Sequence, residues 1–334
     1  MDDIFEKKFA HIYVEKGLEI KAIARHFKDA KVITIDHYKD VFNRIHQDFE
    51  HQHRSQNLIL ARKKGQLIYK GAPVCQDFDN EWFFYTSQIM NCLYDCEYCY
   101  LKGMYPSGNM VMFLNIEDYF REAEKMLEDH PLYLCISYDT DLLAVEGITG
   151  FVKKWCEFTV SHPGMTIEVR TKAGNADIID GMPLNERTIF AFTLSPESFI
   201  ERFEKGSASL NERLYFMKHA LESGASVRAC FDPMIRTSDW KDQYEDLLCT
   251  FFREIDPASL KDASVGTFRI SGAYLKPMRR NMPHSLIAQY PYVIKDGYYQ
   301  YADSIKDEME KFLTDRLIEK LGENRIFRWE EKDE

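Results

Sequence analysis

No stretch of this 334-residue chain reaches the roughly 18 consecutive apolar residues that a membrane-crossing helix needs, so no membrane contact is expected. The first ten residues, MDDIFEKKFA, are charged and lack an apolar signal-peptide core, which points to a cytoplasmic protein. Basic residues are the minority charge, 43 Lys and Arg against 54 Asp and Glu. The resulting net charge of -11 excludes a protein that coats nucleic acid by charge alone, but not an enzyme with a local basic groove. Internal repeats and low-complexity tracts are absent. G-x-G-x-x-G and P-loop patterns are absent too, which removes the usual support for dinucleotide or ATP chemistry. What remains is ordinary: 45% hydrophobic and 29% charged residues suit a folded globular chain, large enough to bury a core without disulfide staples.

The eight cysteines are unevenly placed. Three of them fall in NCLYDCEYCY at 91–100, spaced Cys92-x3-Cys96-x2-Cys99. Three thiolates on one short loop can hold three corners of a cubic 4Fe-4S cluster, leaving one iron open to an exogenous chelating molecule. Structural zinc competes, yet it normally takes four closed ligands, and no second cysteine pair follows at zinc-finger distance. Three unconnected packing cysteines are the remaining alternative. His46, His51 and His53 in HQDFEHQH have no accompanying cysteines and read as a solvated helical face.

Between about residues 80 and 270, β-rich runs alternate with helical periodicity. Candidate strands are 82–87, 132–137, 166–171, 188–193, 226–231 and 264–270, with amphipathic helices at 116–127, 152–159, 210–221 and 243–255 between them. The predicted fold class is α/β, a partial (β/α)6 TIM-like barrel with chemistry at the carboxyl ends of its strands. Residues 1–80 form an N-terminal α/β extension, with a helix at 21–27 and a strand at 31–34. Residues 81–275 form the barrel, and 276–334 a C-terminal hairpin and helix. In that last part Ile305, Met309, Phe312, Leu313 and Leu317 make a docking stripe.

The cysteine spacing after a first barrel strand, with Tyr100 directly behind it, resembles the radical S-adenosylmethionine (SAM) superfamily. CEYCYLKG further resembles the C-H-Y-C-Y-L segment of the spore photoproduct lyase family, enzymes of DNA repair. HIYVEKGLE, RTK at 170–172, AFTLSPE, FEKGSASLNER, DPMIRTSDWKDQY and FRISGAYLKPMRR resemble family segments in the same order. The resemblance covers roughly residues 11–300, with gaps. It implies a barrel of the radical SAM type, a 4Fe-4S cluster on Cys92, Cys96 and Cys99, and S-adenosyl-L-methionine on the open iron. The implied reaction is a carbon–carbon lyase step: a 5′-deoxyadenosyl radical reverses 5-thyminyl-5,6-dihydrothymine, the spore photoproduct, to two thymines. Implied partners are damaged DNA and an electron donor such as flavodoxin or ferredoxin; a sporulating organism would hold the enzyme in its spore core. A related enzyme acting on RNA, a peptide or a metabolite is the alternative, and a zinc-stabilised DNA-binding module is a third reading.

Carried over residue by residue, the resemblance places Lys172 at the SAM carboxylate and Thr140 and Thr193 where family serines bind SAM. Tyr98 and Tyr100 match two tyrosines of a hydrogen-atom relay, with Tyr100 also at adenine; simple packing of the cluster loop competes with the relay. Asp139 and Asp141 read equally well as turn or helix caps. The family's usual donor cysteine is replaced by Tyr138 in SYDTD. A branch of the family uses a cysteine upstream of the cluster motif, and Cys75 in GAPVCQDF fits that position as hydrogen donor. Cys135, an odd offset from Tyr138, is expected on the opposite strand face as packing. Packing also suffices for Cys156, Cys230 and Cys249. DNA contacts are expected from Lys276, Arg279 and Arg280, and from a hairpin turning at Asp296-Gly297 whose Tyr298 and Tyr299 could wedge into the duplex; a core-facing aromatic strand pair is the alternative.

Overall fold

The computed structural model describes residues 9–27 and 29–329. Its centre is an eight-stranded sheet in which Phe83–Thr86 (β5), Leu132–Cys135 (β9), Met165–Thr171 (β10), Thr188–Thr193 (β11), Ser226–Met234 (β13), Asp262–Thr267 (β14) and Ile326–Arg328 (β18) run parallel. All six expected barrel strands are present, and β18 adds a seventh from the C-terminus. The sheet stays open, because β18 lies at one edge and the antiparallel Ile68–Lys70 (β4) at the other. Every residue of β11 and of β14 is buried, as expected where parallel strands are covered on both faces. Helices at Ile116–Leu127, Phe151–Ser161, Leu210–Glu222 and Trp240–Glu254 fall between these strands, close to their expected limits. The third starts with a capping box between Ser209 and Glu212.

A second sheet orders Lys31–Ile35 (β2), His11–Glu15 (β1), Leu58–Ala61 (β3), Met110–Phe113 (β8) and Ile89–Met90 (β6). Its first three strands come from the N-terminal extension and its last two from the segment around the cysteine loop. β4 reaches the other way into the barrel sheet, so the two sheets exchange strands across residue 80. The C-terminal helix Asp303–Leu321 buries Met309, Leu313 and Leu317, with Ile305 and Phe312 partly covered, as its stripe requires. Asp296 and Gly297 both take positive φ, 47° and 82°, and turn Val293–Lys295 (β16) into Tyr298–Gln300 (β17). Arg269–Ser271 (β15) completes this small sheet.

The amino-terminal half of the barrel interior is closed by a buried charged layer. Arg228 binds Glu168 at 2.6 Å and the Tyr133 hydroxyl at 2.7 Å, and forks onto Asp262, while Phe78 lies 3.2 Å from its guanidinium carbon. With these groups paired at the bottom, the open volume is left at the carboxyl end of the strands.

Candidate active site

The cysteine loop is tied down before any ligand is considered. Asp95–Cys96 (β7) pairs antiparallel with Glu204–Lys205 (β12), and Glu97 N donates to Phe203 O at 2.7 Å. Lys102, buried, reaches Asp95 at 2.5 Å and Glu50 at 2.9 Å. The Cys92 carbonyl meets both His53 Nε2 and Gln56 Nε2 at 3.0 Å. His53 is therefore a buried support of the loop, correcting its assignment to a solvated face, whereas His46 and His51 are exposed. A lysine 3 residues behind Cys99 and a histidine 39 residues ahead of Cys92 are not separable from surface residues by pattern.

Cys92, Cys96 and Cys99 line one cavity of about 520 Å³ at the barrel mouth. All three thiols are free, and burial pushes each up to about 12. Such thiols ionise only when a cation joins them, as cluster iron does. Among the described residues no three His, Cys, Asp or Glu side chains converge on a single-ion site. The three thiols open onto one cavity, as the ligands of a polynuclear cluster do. Two buried polar atoms on the same cavity, Thr140 Oγ1 and the Tyr94 hydroxyl, lack any protein partner. Unpaired polar atoms in a cavity wall fit a polar ligand, since leaving them bare costs about 1–3 kcal/mol each. Thr193 and Lys172 line the cavity too. Lys172 makes no ion pair among the described residues; its ammonium lies 5.5 Å from the Tyr98 ring centroid. Burial acts to lower its pKa, but Cys96 and Glu204 outweigh burial and hold it raised. A cation kept charged beside the thiols can receive a carboxylate.

The two tyrosines of the loop are held differently. Tyr98 is buried and donates to Glu204 at 2.5 Å; Glu204 also takes Ser195 at 2.7 Å and Arg213 at 2.5 Å. Tyr100 donates to Asp139 Oδ1 at 2.8 Å and to the Tyr138 carbonyl at 3.0 Å. Asp139 Oδ2 takes Ser87 and Tyr105, at 2.5 and 2.7 Å. Asp139 is thus a hub for three hydroxyls and not a cap. Asp141 is bound by Thr171 Oγ1 at 3.0 Å and Lys172 N at 2.6 Å, and so sets the backbone of the lysine turn. Ser87 and Tyr105 carry no local motif, and Glu204 and Arg213 lie within FEKGSASLNER without a pattern that pairs them. Only their arrival from distant segments reveals them.

Cys75 lines the cavity as well, with Sγ 3.2 Å from the Tyr138 hydroxyl. Cys135 corrects the face argument: it lines the same cavity and packs in one small core with Cys75 and Tyr138. Strand β9 ends at Cys135, so the period-two alternation does not extend to Tyr138. Cys156 and Cys230 are fully buried, but Cys249 is exposed on its helix, so packing does not explain it.

Lys276 and Arg280 are exposed on the helix Gly272–Asn281. Arg279 is committed elsewhere: it donates to the carbonyls of Ala288 and Tyr290, at 2.8 Å each, and lies 5.2 Å from the Tyr299 ring. It fastens a loop. Tyr290, Tyr292 and Tyr301 pack on one another at tilted and edge-to-face angles, and the last two are buried, so those two face the core. Tyr298 lines the cavity, Tyr299 is half-buried, and the exposed apolar residues of the hairpin are Val293 and Ile294.

Fold and site together define an open parallel (β/α) barrel of the radical SAM type, with its three-cysteine loop at the mouth. A family model described as spore photoproduct lyase matches residues 85–293. This chain belongs to the spore photoproduct lyase family. It is 24% identical over 194 residues to spore photoproduct lyase of Geobacillus sp. (strain Y412MC61), and 23% identical over 195 residues to that of Bacillus subtilis (strain 168). Each match takes in 57% of this chain and 56% of the relative, so the matched stretch spans about half the length of those proteins. The fold likeness is wider. A spore photoproduct lyase complexed with dinucleoside spore photoproduct superposes with TM-score 0.77 at 17% identity, covering 96% of this chain and 98% of the other. A doubly substituted spore photoproduct lyase with bound AdoMet and dinucleoside spore photoproduct gives TM-score 0.78 at 18% identity, covering 97% and 98%.

Proposed function

We propose that this protein reverses the spore photoproduct in DNA to two thymines, using a 4Fe-4S cluster and SAM. The supporting observation is the single cavity shared by Cys92, Cys96 and Cys99 with a fourth, separate thiol, Cys75. When bound, the cluster and SAM supply the hydrogen-abstracting radical chemistry. Cys92, Cys96 and Cys99 hold the cluster, Lys172 takes the SAM carboxylate, and Thr140 and Thr193 offer their hydroxyls to the same ligand. Tyr100 closes the adenine side, its hydroxyl fixed by Asp139. Tyr98, locked onto Glu204, shields the cluster loop from water and stands beside Tyr100 in the relay.

Cys75 is the hydrogen donor. Its S–H bond is weak enough to give a hydrogen atom to a carbon radical, and burial raises its pKa, keeping the thiol protonated as donation requires. Tyr85 and Tyr138 stack at 4.0 Å beside it, an aromatic wall against which an unstacked base can lie. Lys276 and Arg280 hold phosphates outside the mouth. The reductant is a low-potential electron carrier of the flavodoxin or ferredoxin kind.

The deciding experiment gives anaerobically reconstituted protein SAM, reductant and dinucleoside spore photoproduct. The expected product is the thymine dinucleotide. Reductive SAM cleavage with the lesion untouched would reassign the cavity to an RNA, peptide or metabolite substrate. Cys75→Ala is expected to bind SAM and open the lesion, yet to divert the thymine radical into by-products, while Cys135→Ala repairs normally. Clean repair by Cys75→Ala would remove the donor assignment.

A further inference from the structure

Beside Cys75 the cavity wall carries three charged side chains that the radical chemistry does not use, Arg170, Asp232 and Arg269. All three charges act on the Cys75 thiol, so they surround the group from which the repaired base takes its hydrogen. Each arginine faces a different oxygen of the Asp232 carboxylate: Arg269 Nη1 is 3.7 Å from Oδ1, and Arg170 Nη1 is 4.0 Å from Oδ2. Neither gap is a hydrogen bond, and among the described residues no donor hydrogen-bonds that carboxylate. The Arg228 layer below is different, because its pairs close at hydrogen-bond length. Both arginines are braced from behind. Arg269 Nε holds the Val74 carbonyl at 3.1 Å with its guanidinium 4.9 Å from the Trp329 ring, while Arg170 Nε lies 3.5 Å from Glu168. Gly266 makes room for the meeting, since a Cβ there would stand 3.0 Å from Arg269 Nη1 and 3.3 Å from Asp232 Oδ1.

Resting on the repair reading, we propose that this row binds the imide edge of the lesion ring beside Cys75, with Asp232 accepting the ring N3–H and Arg170 and Arg269 donating to the two flanking carbonyls. A carboxylate only accepts and a guanidinium only donates, so the row presents donor, acceptor, donor. Thymine and dihydrothymine present the complement across O2, N3–H and O4. Cytosine has an acceptor at N3 and an amine at C4, which sets a lone pair against the carboxylate and a donor against a guanidinium. The ring face is left to the Tyr85–Tyr138 wall, so face and edge are held by different groups. Polar partners that find no hydrogen bond until the ring arrives discriminate against a ring that lacks the donor. Uracil offers the same edge, so the row selects for the imide and not for the methyl group.

The test removes the N3 proton from the ligand before it touches the protein. Equilibrium binding to cluster- and SAM-loaded protein, without reductant, compares dinucleoside spore photoproduct with the same lesion methylated at N3 of both rings. The methylated lesion is expected to bind roughly tenfold or more weakly, the order of one hydrogen bond to a charged group. Asp232→Ala is expected to weaken the unmethylated lesion by a similar factor, read in turnover chiefly as raised KM, and to bind the two lesions alike. A carboxylate that only balances two arginines, or only crowds the methyl group, would leave the unmethylated lesion's affinity unmoved. Iron content and SAM affinity show first that the variant is folded; should it not fold, the two ligands on the unsubstituted protein still decide. Equal binding of both lesions by that protein, or unchanged lesion affinity in a folded Asp232→Ala, overturns the proposal and leaves the repair reading intact. If the unsubstituted protein shows the N3 preference yet leaves the lesion uncleaved under reductant, the repair reading fails and the edge assignment stands.

Discussion

Lys172 and the three loop cysteines share one wall but predict different losses. Replacing Cys92, Cys96 or Cys99 by Ala removes a cluster corner, so iron near four per chain should fall and reductive SAM cleavage should cease. Iron and sulfide analysis with the charge-transfer absorbance checks this; full absorbance after any one replacement would contradict the ligand assignment. Lys172→Ala takes away a cation and no iron ligand. The cluster should assemble normally while SAM affinity falls roughly tenfold or more, the order of one charge-assisted contact. Equilibrium binding on cluster-loaded protein separates this from a merely buried lysine, which would leave affinity unchanged. Tyr98 is different again, because its proton is shared with a carboxylate already bound to Arg213.

Among elements, two short segments fix where that wall stands. The helix Leu101–Met104, directly behind the cysteine loop, packs against the helix Gly272–Asn281. Gly103 permits the approach: a Cβ there would stand 2.0 Å from the Tyr274 carbonyl oxygen, which is backbone and cannot swing aside. Gly103→Ala should therefore destabilise the fold by about 1–3 kcal/mol and displace the loop with it. Denaturant melting together with cluster yield tests the coupling; a stable variant with normal iron content would show that the two helices part without moving the cysteines. The β7–β12 ladder is the second fixture, with Glu204 pairing by its backbone to Cys96 and by its side chain to Arg213. Glu204→Gln leaves Arg213 buried without its counter-charge, a loss of about 3–5 kcal/mol in comparable pairs.

For the whole molecule, one carboxyl outside the cavity carries a pH dependence. Glu146 is buried, and its pKa is raised to about 7, burial outweighing the N–H groups of Lys153 and Val152 that it accepts at the start of the helix Phe151–Ser161. A raised folded-state value means the native state holds a proton that the unfolded chain releases near 4.5. This stability is complete below pH 4.5 and is lost as pH rises through 7, amounting to about 3 kcal/mol at 1.36 kcal/mol per unit. Glu146→Gln mimics the protonated form, so the stability gap between variant and parent should widen in the variant's favour between pH 4.5 and 8. Parallel pH profiles for the two proteins would instead place the titration elsewhere.

The local and periodic features were determined by the sequence alone. Six barrel strands, their helices, the hairpin turn at Asp296-Gly297 and the cysteine loop each depend on neighbours a few residues away, through side-chain alternation, helical period and ligand spacing. The open seventh strand β18 escaped because three residues, Ile326–Arg328, carry no period; they become a strand only against β14. The same holds for His53 beneath Cys92, for Arg279 on two carbonyls, and for Cys135 in the cavity wall. Cys75 and Tyr138 are 63 residues apart, and nothing in either segment announces the other. Contacts between distant segments are set by how sheets stack and where strands end, so tertiary structure alone decided which thiol meets which phenol.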